Sequence, residues 1–553
     1  MGKNCVRSLA AAILLLSMHF TLFSQELLPG ARIWGNFQMD AQYYQPDSLI
    51  RADTVPERIL MNAFLNLNME YQGLTIGLRY ESYQNPLLGF DPAYQGSGIP
   101  YRFASYRREK LEVTVGNFYE QFGNGLILRT YVEPNLGIDN SLDGIRLLYQ
   151  PVDGITLRTV IGQQRLFFDK GPGIVRGADA EFFLNDLWNN LARTGNQLSL
   201  GFSTVSKYQR AQHPLFVLPE NVAAFSGRMN FARGGFLLNA EYAYKINDPS
   251  DDNSFIYRHG EALTLSTSYS VSGFGLLLSA KRIDNMGFRS NRSARANDLN
   301  INYLPAMTRQ HVYSLTGMYP YATQPTGEMG ALAELTFNLP RKSPLGGPFG
   351  TTVVINYSLA NAIEKNALND TTMVGQPGTD GYTSNFFAVG DERYFRDFNI
   401  EINRRFNRQV KGTFTYMNLF YNQNVIEGYT DREDVRAHIV VADISQRLPN
   451  RRSVRYELQH LSTQQDRGNW AMALVEFNFS PQWFIAVSDQ YNYGHDDPNQ
   501  RQHYYNISAG YTRNAHRISM TWGRQRQGII CVGGVCRVVP ASSGLALNVT
   551  SSF

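Results

Sequence analysis

The sequence predicts an all-β fold: a single transmembrane antiparallel β-barrel of about 26 strands, within a range of roughly 22 to 26, with short periplasmic turns and long extracellular loops. Three observations predict it. Strand-length stretches alternate apolar and polar residues along much of the chain, the amino terminus has the layout of a secretory signal, and an alternating strand ends on Phe553.

The alternation is clearest from Arg58 to Tyr71. Ile59, Met61, Ala63, Leu65, Leu67, Met69 and Tyr71 fall on one face, and Asn62, Asn66, Asn68 and Glu70 on the other, with Phe64 the exception. This two-residue period is that of a strand with one apolar side. It resumes after Gln72-Gly73, and recurs at Leu263 to Val271 and Ala331 to Leu339. Aromatic residues make up 13% of the chain and charged residues 18%, below the roughly 25% of ordinary soluble domains. The mean hydropathy of -0.31 is nonetheless that of a soluble protein. A transmembrane barrel reconciles these values, because only every second residue faces lipid. A secreted soluble β-protein is the plainer alternative.

Lys3 and Arg7 precede the apolar run Leu9 to Leu16, and Leu22-Phe23-Ser24 follows it, which reads as a signal peptide over residues 1–24 and a barrel over 25–553. Cys5 lies before the apolar run, so a lipoprotein anchor is not expected. Without the two signal cations the formal charge of +4 falls to about +2, and there is no basic run suited to nucleic acid. The implied surroundings are outer-membrane lipid and, during biogenesis, the barrel assembly machinery. The first strand is expected near Ala31, leaving too little chain ahead of it for a plug domain or a soluble periplasmic domain.

Tight turns are expected at Gln72-Gly73, Arg108 to Lys110, Pro151 to Gly154, Arg233 to Gly235, Ser272-Gly273, Asn407 to Gln409, Pro449 to Arg452, Ser480 to Gln482 and Asn514 to His516. Longer loops fall between them. Keeping all tight turns at one end requires two further strands, one at 173–185 and a short one at Asp298 to Leu304. The first also carries helix-like spacing from Asp179 to Leu191. Tyr71, Phe406, Phe479 and Trp483 lie beside proposed turns and suit an interfacial girdle.

Leu545, Leu547, Val549 and Phe553 share one face of the last strand, which resembles the closing strand of bacterial outer-membrane barrels, whose terminal aromatic acts as the assembly signal. Three segments are distinctive: Gly116 to Gly144 (beginning G-N-F-Y-E-Q-F-G-N-G), Asn302 to Glu328 (beginning N-Y-L-P-A-M-T-R-Q-H) and C-V-G-G-V-C-R-V-V-P at Cys531 to Pro540. Together they resemble a family of large outer-membrane barrels of Bacteroidota that carries only an unknown-function label. The resemblance implies a location in the outer membrane of a Gram-negative bacterium and a barrel fold, and brings no catalytic or ligand residues with it. The general layout is porin-like.

Glu70, Arg79, Glu81, Glu241, Lys245, Lys281, Glu334, Glu401 and Glu476 sit opposite apolar faces and are expected to line the lumen, since Arg or Lys facing lipid at mid-bilayer costs roughly 2–4 kcal/mol. Such residues either select a solute or form a solvated, salt-bridged interior. A barrel this wide is not filled by its wall side chains. The segment Asn117 to Asp143, rich in apolar residues, is the candidate to fold inward as a constriction, with Tyr119, Glu120, Arg129, Glu133 and Asp139 placed to meet lumenal charges or a solute. The alternative is that it packs on neighbouring outer loops. Gly533-Gly534 suits a two-residue hairpin turn, which sets Cys531 opposite Cys536 as a non-hydrogen-bonded pair able to form a disulfide. Its loop is short, so it contributes only about 2 kcal/mol and serves to hold an exposed tip; two thiols or a metal site are the alternatives.

His495-Asp496-Asp497 with His503 is the densest titratable cluster and reads more readily as a hydrated loop tip than as a hydrolase or metal site. The acidic stretch Asn366 to Asp391 lacks the spaced carboxylates of a calcium loop. No cofactor and no enzymatic activity are expected. The leading function is a porin-like channel for small solutes. A non-conducting scaffold for secretion or surface-protein assembly is second, and an outer-membrane hydrolase third.

Overall fold

The structure, a computed structural model, describes residues 29–553, so the signal-peptide reading falls outside the described residues. Twenty-four strands form one closed antiparallel wall. Closure is made by Arg32–Tyr44, which pairs on one side with Ile59–Tyr71 and on the other with Ser542–Ser552. The register runs from Asn36 opposite Ser552 to Tyr44 opposite Gly544. Phe553 extends it by one step: its N–H donates to Gly35 O at 3.0 Å, and Gly35 N–H donates to Phe553 O at 2.9 Å. A Cβ on Gly35 would lie 2.8 Å from the Phe553 ring, so glycine leaves the space that the aromatic occupies.

The two faces separate as the alternation predicts. Asn62, Arg79, Glu81 and Glu241 are buried on the inner side, whereas Phe202 (59%) and Leu458 (61%) stand exposed on the outer side with Phe225 and Val487. Such a surface has the alternating apolar character of a lipid-facing barrel wall. Phe406, Phe479 and Trp483 are exposed beside the short turns, and Trp483 packs on Tyr511 with ring centres 4.6 Å apart.

All the tight turns expected from the sequence lie at one end of the barrel, and the long loops at the other. In the turn at Gln72-Gly73 both residues have positive φ, 48° and 82°, the mirror-image turn whose twist matches a hairpin. Two connections at the short-turn end are longer, 184–195 and 340–350. The first explains the mixed signal around Asp179: the chain is a strand over Asp169–Phe183 and then makes the short helices Leu184–Leu187 and Asn189–Ala192.

The wall count is 24, inside the expected range but below 26. Asp298 to Leu304 is not a wall strand. Its residues Leu299, Ile301, Asn302 and Leu304 are buried, and Ile301 and Leu304 pack with Phe122, Leu126, Ile127 and Leu128 inside the lumen. It belongs to the loop 285–326, which is longer than 119–141. The cysteine hairpin, Gly528–Val532 with Val535–Val539, also leaves the wall and forms its own two-stranded sheet.

Leu547 lies opposite Ala41 and Met520 on the outer face. Leu547→Arg, at about 2–4 kcal/mol for a cation facing lipid, and deletion of Phe553 are each expected to lower the amount of heat-modifiable barrel recovered from membranes. Recovery equal to the parent in both variants would contradict the closure described.

Candidate functional site

The lumen is built in two halves. Toward the short turns the inward side chains are amides and hydroxyls bonded across neighbouring strands: Asn66 donates to Asn36 at 2.7 Å, Asn548 to Asp40 at 2.6 Å and Thr352 to Asn338 at 2.7 Å. Many of these remain exposed to solvent. Toward the long loops, three inward segments fill the space: 119–141, 285–326 and 526–541.

The first segment carries its own apolar core. Phe122, Leu126, Ile127 and Leu128 are fully buried against inward Val205, Val222, Ala224, Ala243 and Ala262 of the wall. The small alanines leave room for the loop. Gly123, at φ 54°, lets the backbone approach Glu241, where a Cβ would lie 2.5 Å from the carboxylate. Asn124 N–H then donates to Glu241 at 2.6 Å, and its side-chain amide donates to Asn239 at 2.8 Å.

A buried ion-pair network fixes the far end of the same loop. Glu81 accepts from Arg79 at 2.7 Å and from Arg165 at 2.6 Å, and Asp139 of the loop bridges the same two guanidiniums, 2.6 Å from Arg165. Tyr119 stacks on Tyr101 and accepts a bond from Arg79 at 3.3 Å. Glu120 pairs with Arg146 at 2.6 Å. The Arg129 guanidinium lies 3.9 Å over the Tyr303 ring, and Glu133 caps the turn Pro134–Leu136 through Asn135 N–H.

Other inward charges hold the second segment. Lys281, paired with Glu328, donates to Pro305 O at 2.6 Å, and Lys245 donates to Gly287 O. Glu401 binds Arg309 at 2.7 Å, and Asp397 lies 2.7 Å from His311. Glu334 and Glu70 point inward beneath the loops, Glu334 half-buried and Glu70 exposed beside Arg32. Arg165, Arg309, His311 and Asp397 were not singled out in the sequence. Asp397 and Arg165 carried the same parity signal as Glu81, whereas the destination of Arg309 and His311, in an aperiodic loop, carried none.

The third segment is the disulfide hairpin. Cys531 and Cys536 face each other across a 4.1 Å Cα separation and are bonded. The tip is not an exposed one, because it is plugged into the second segment. Tyr303 Oη donates to Gly533 O at 2.6 Å, Ala306 N–H donates to Gly533 O at 3.2 Å, and Thr323 N–H donates to Gly534 O at 3.1 Å. A Cβ on Gly534 would lie 2.6 Å from Thr323 Oγ1, so the close fit requires glycine.

Two adjoining cavities flank the hairpin. The outer one, about 620 Å³, lies among the long loops and is bordered by Tyr131, Asn140 and Trp470; the inner one, about 490 Å³, is bordered by His311, Tyr313, Gln490 and Asn506. Tyr319, Pro320, Arg526, Gly528, Ile529 and Gly534 border both, so the two cavities adjoin at the hairpin. His495 and Asp497 turn to their own loop, where His495 Nδ1 accepts from Asp497 N–H and Asp497 caps Pro498–Gln500.

These features define a wide β-barrel whose lumen is narrowed by its own loops. The chain belongs to DUF6029, a family of unknown function, which matches over residues 6–553. No curated protein matches it significantly. Similar solved structures include the Pseudomonas aeruginosa ferric enterobactin receptor PfeA (10% identity, 95% of this chain and 81% of that one, TM-score 0.41). They also include the siderophore receptor PirA of the same organism (11%, 94% and 80%, 0.40) and its outer membrane protein opdK (12%, 83% and 97%, 0.34).

Two outcomes follow from this geometry. Glu81→Ala strips two buried guanidiniums of a shared partner and is expected to cost about 3 kcal/mol, seen as a lower temperature for the heat-modifiable shift and faster proteolysis within 119–141; an unchanged profile would contradict the network. Mass spectrometry without reductant is expected to find Cys531 and Cys536 linked in protein taken from cells, and free thiols at both would contradict it.

Proposed function

We propose that this chain resides in the outer membrane of a Gram-negative bacterium, of the Bacteroidota by the resemblance noted above, and passes a small solute through its lumen without chemical conversion. The long loops face outward and the short turns face the periplasm. The membrane location is supported by the exposed apolar outer face, the aromatic residues beside the short turns and a wall whose backbone groups are satisfied by closure. One observation supports the passage: a cavity among the long loops and a second cavity share border residues at the hairpin. Fixed side chains at the junction make this a selective passage, narrower than a general diffusion pore.

The extent of loop packing favours a second reading, a closed scaffold whose outer loops engage another protein. Planar-bilayer recording separates the two. Under the passage reading, the purified parent gives small discrete conductance steps. Replacing residues 527–539 with a short Gly-Ser linker gives steps several times larger. Silence in both proteins, each verified as heat-modifiable barrel, would sink the passage and favour the scaffold.

A further inference from the structure

The junction between the cavities is more cationic than its neighbours neutralise. Several arginines in the lumen are paired, Arg165 with Glu81, Arg309 with Glu401, Arg289 with Asp252 and Arg524 with Asp47, each within 2.7 Å, whereas Arg129 and Arg537 lie over the rings of Tyr303 and Phe90. Arg526 differs. It borders both cavities, and its bonds are two long ones, at 3.4 Å to Gln527 O and to Ser314 O. Arg467, Arg51 and Arg432 border the outer cavity with it, and among the described residues none of these four has a carboxylate within 4.0 Å. Burial, and then the neighbouring Arg467, push the Arg526 guanidinium below its ordinary value, as expected for like charges sharing a desolvated site.

The acids bordering the outer cavity, Asp252, Glu427 and Asp466, offset only part of the charge of its six arginines. Asp466 accepts from Tyr319 Oη at 3.0 Å, and burial, with Asp466 adding to it, pushes the Glu427 carboxyl up toward its neutral form. Trp470 also borders the outer cavity, and its Nε1 is buried without a partner. The inner cavity is bordered by Arg309, His311, Arg524 and Arg526 and, among the described residues, by no acid.

We propose that Arg467 and Arg526 form a binding site for a small oxyanion-bearing solute, a carboxylate or phosphate, with Arg51 and Arg432 drawing it in from the mouth. The planar guanidinium matches two oxygens of such a group at once, and a narrow low-dielectric site strengthens the contact. The inference rests on the passage reading and names its solute class.

The test is equilibrium dialysis of radiolabelled inorganic phosphate against the full-length barrel in detergent at constant ionic strength. The parent is expected to bind saturably, and Arg526→Gln and Arg467→Gln each about tenfold more weakly, the loss of one charge-assisted contact; Arg526→Lys is expected to fall between. Succinate displaces the phosphate, whereas chloride at equal ionic strength does not. No saturable binding by the parent, equal affinity in both heat-modifiable Gln variants, or equal displacement by chloride overturns the site. Bilayer recording on the same samples keeps the two ideas apart: binding without conductance upholds the anion site and removes the passage, and conductance without binding does the reverse.

Discussion

Every backbone N–H and C=O in the wall must find its partner within the wall, because lipid offers none. The pairing of Arg32–Tyr44 with Ser542–Ser552 meets that requirement, and the remaining features follow from it. Closing 24 strands fixes a lumen too wide for wall side chains to fill. What fills it must come from the loops, and the three inserted segments all leave from one end. The result is a barrel solvated in one half and packed in the other.

The packed half is held by inward charges of the wall. A carboxylate or ammonium here cannot face lipid, and burying it unpaired would be costly. Glu241, Lys281 and Glu401 avoid that cost by accepting from, donating to or pairing with residues of the inserted segments, and Glu81 by pairing with Arg79 and Arg165 of the wall, whose guanidiniums Asp139 of the loop also bridges. Their role is mutual: the loops satisfy the wall charges, and the wall charges position the loops. The hairpin is anchored differently, by backbone bonds at Gly533 and Gly534, which leaves Arg526 beside it without a carboxylate.

Much of the fold was legible in the sequence because it depends on local periodicity. Alternation at Ile59 to Tyr71 assigned the faces, and paired turn residues such as Gln72-Gly73 assigned the end. Asp298 to Leu304 was assigned to the wall to keep the tight turns at one end and the long loops at the other, a rule that the 340–350 connection does not obey. Contacts across long separations were not legible. Nothing near Arg165 announces Glu81, and Arg526 reads as an ordinary loop cation until the two cavities appear on either side of it. The segment 119–141 was recognisable as too apolar for open water, whereas the seating of the hairpin between two cavities was not, because its sequence signals only a turn and a disulfide.

We infer a narrow route from the loop-lined mouth to the polar half of the lumen. Asn548, inward and exposed beneath the packed segments, offers the most direct measurement. In reconstituted vesicles, cysteine placed there by Asn548→Cys would be exposed to thiol reagents added on the long-loop side. The account predicts rapid reaction with a small anionic methanethiosulfonate and none with a bulky polymer-linked maleimide. Reaction with neither reagent, or with both alike, would contradict it.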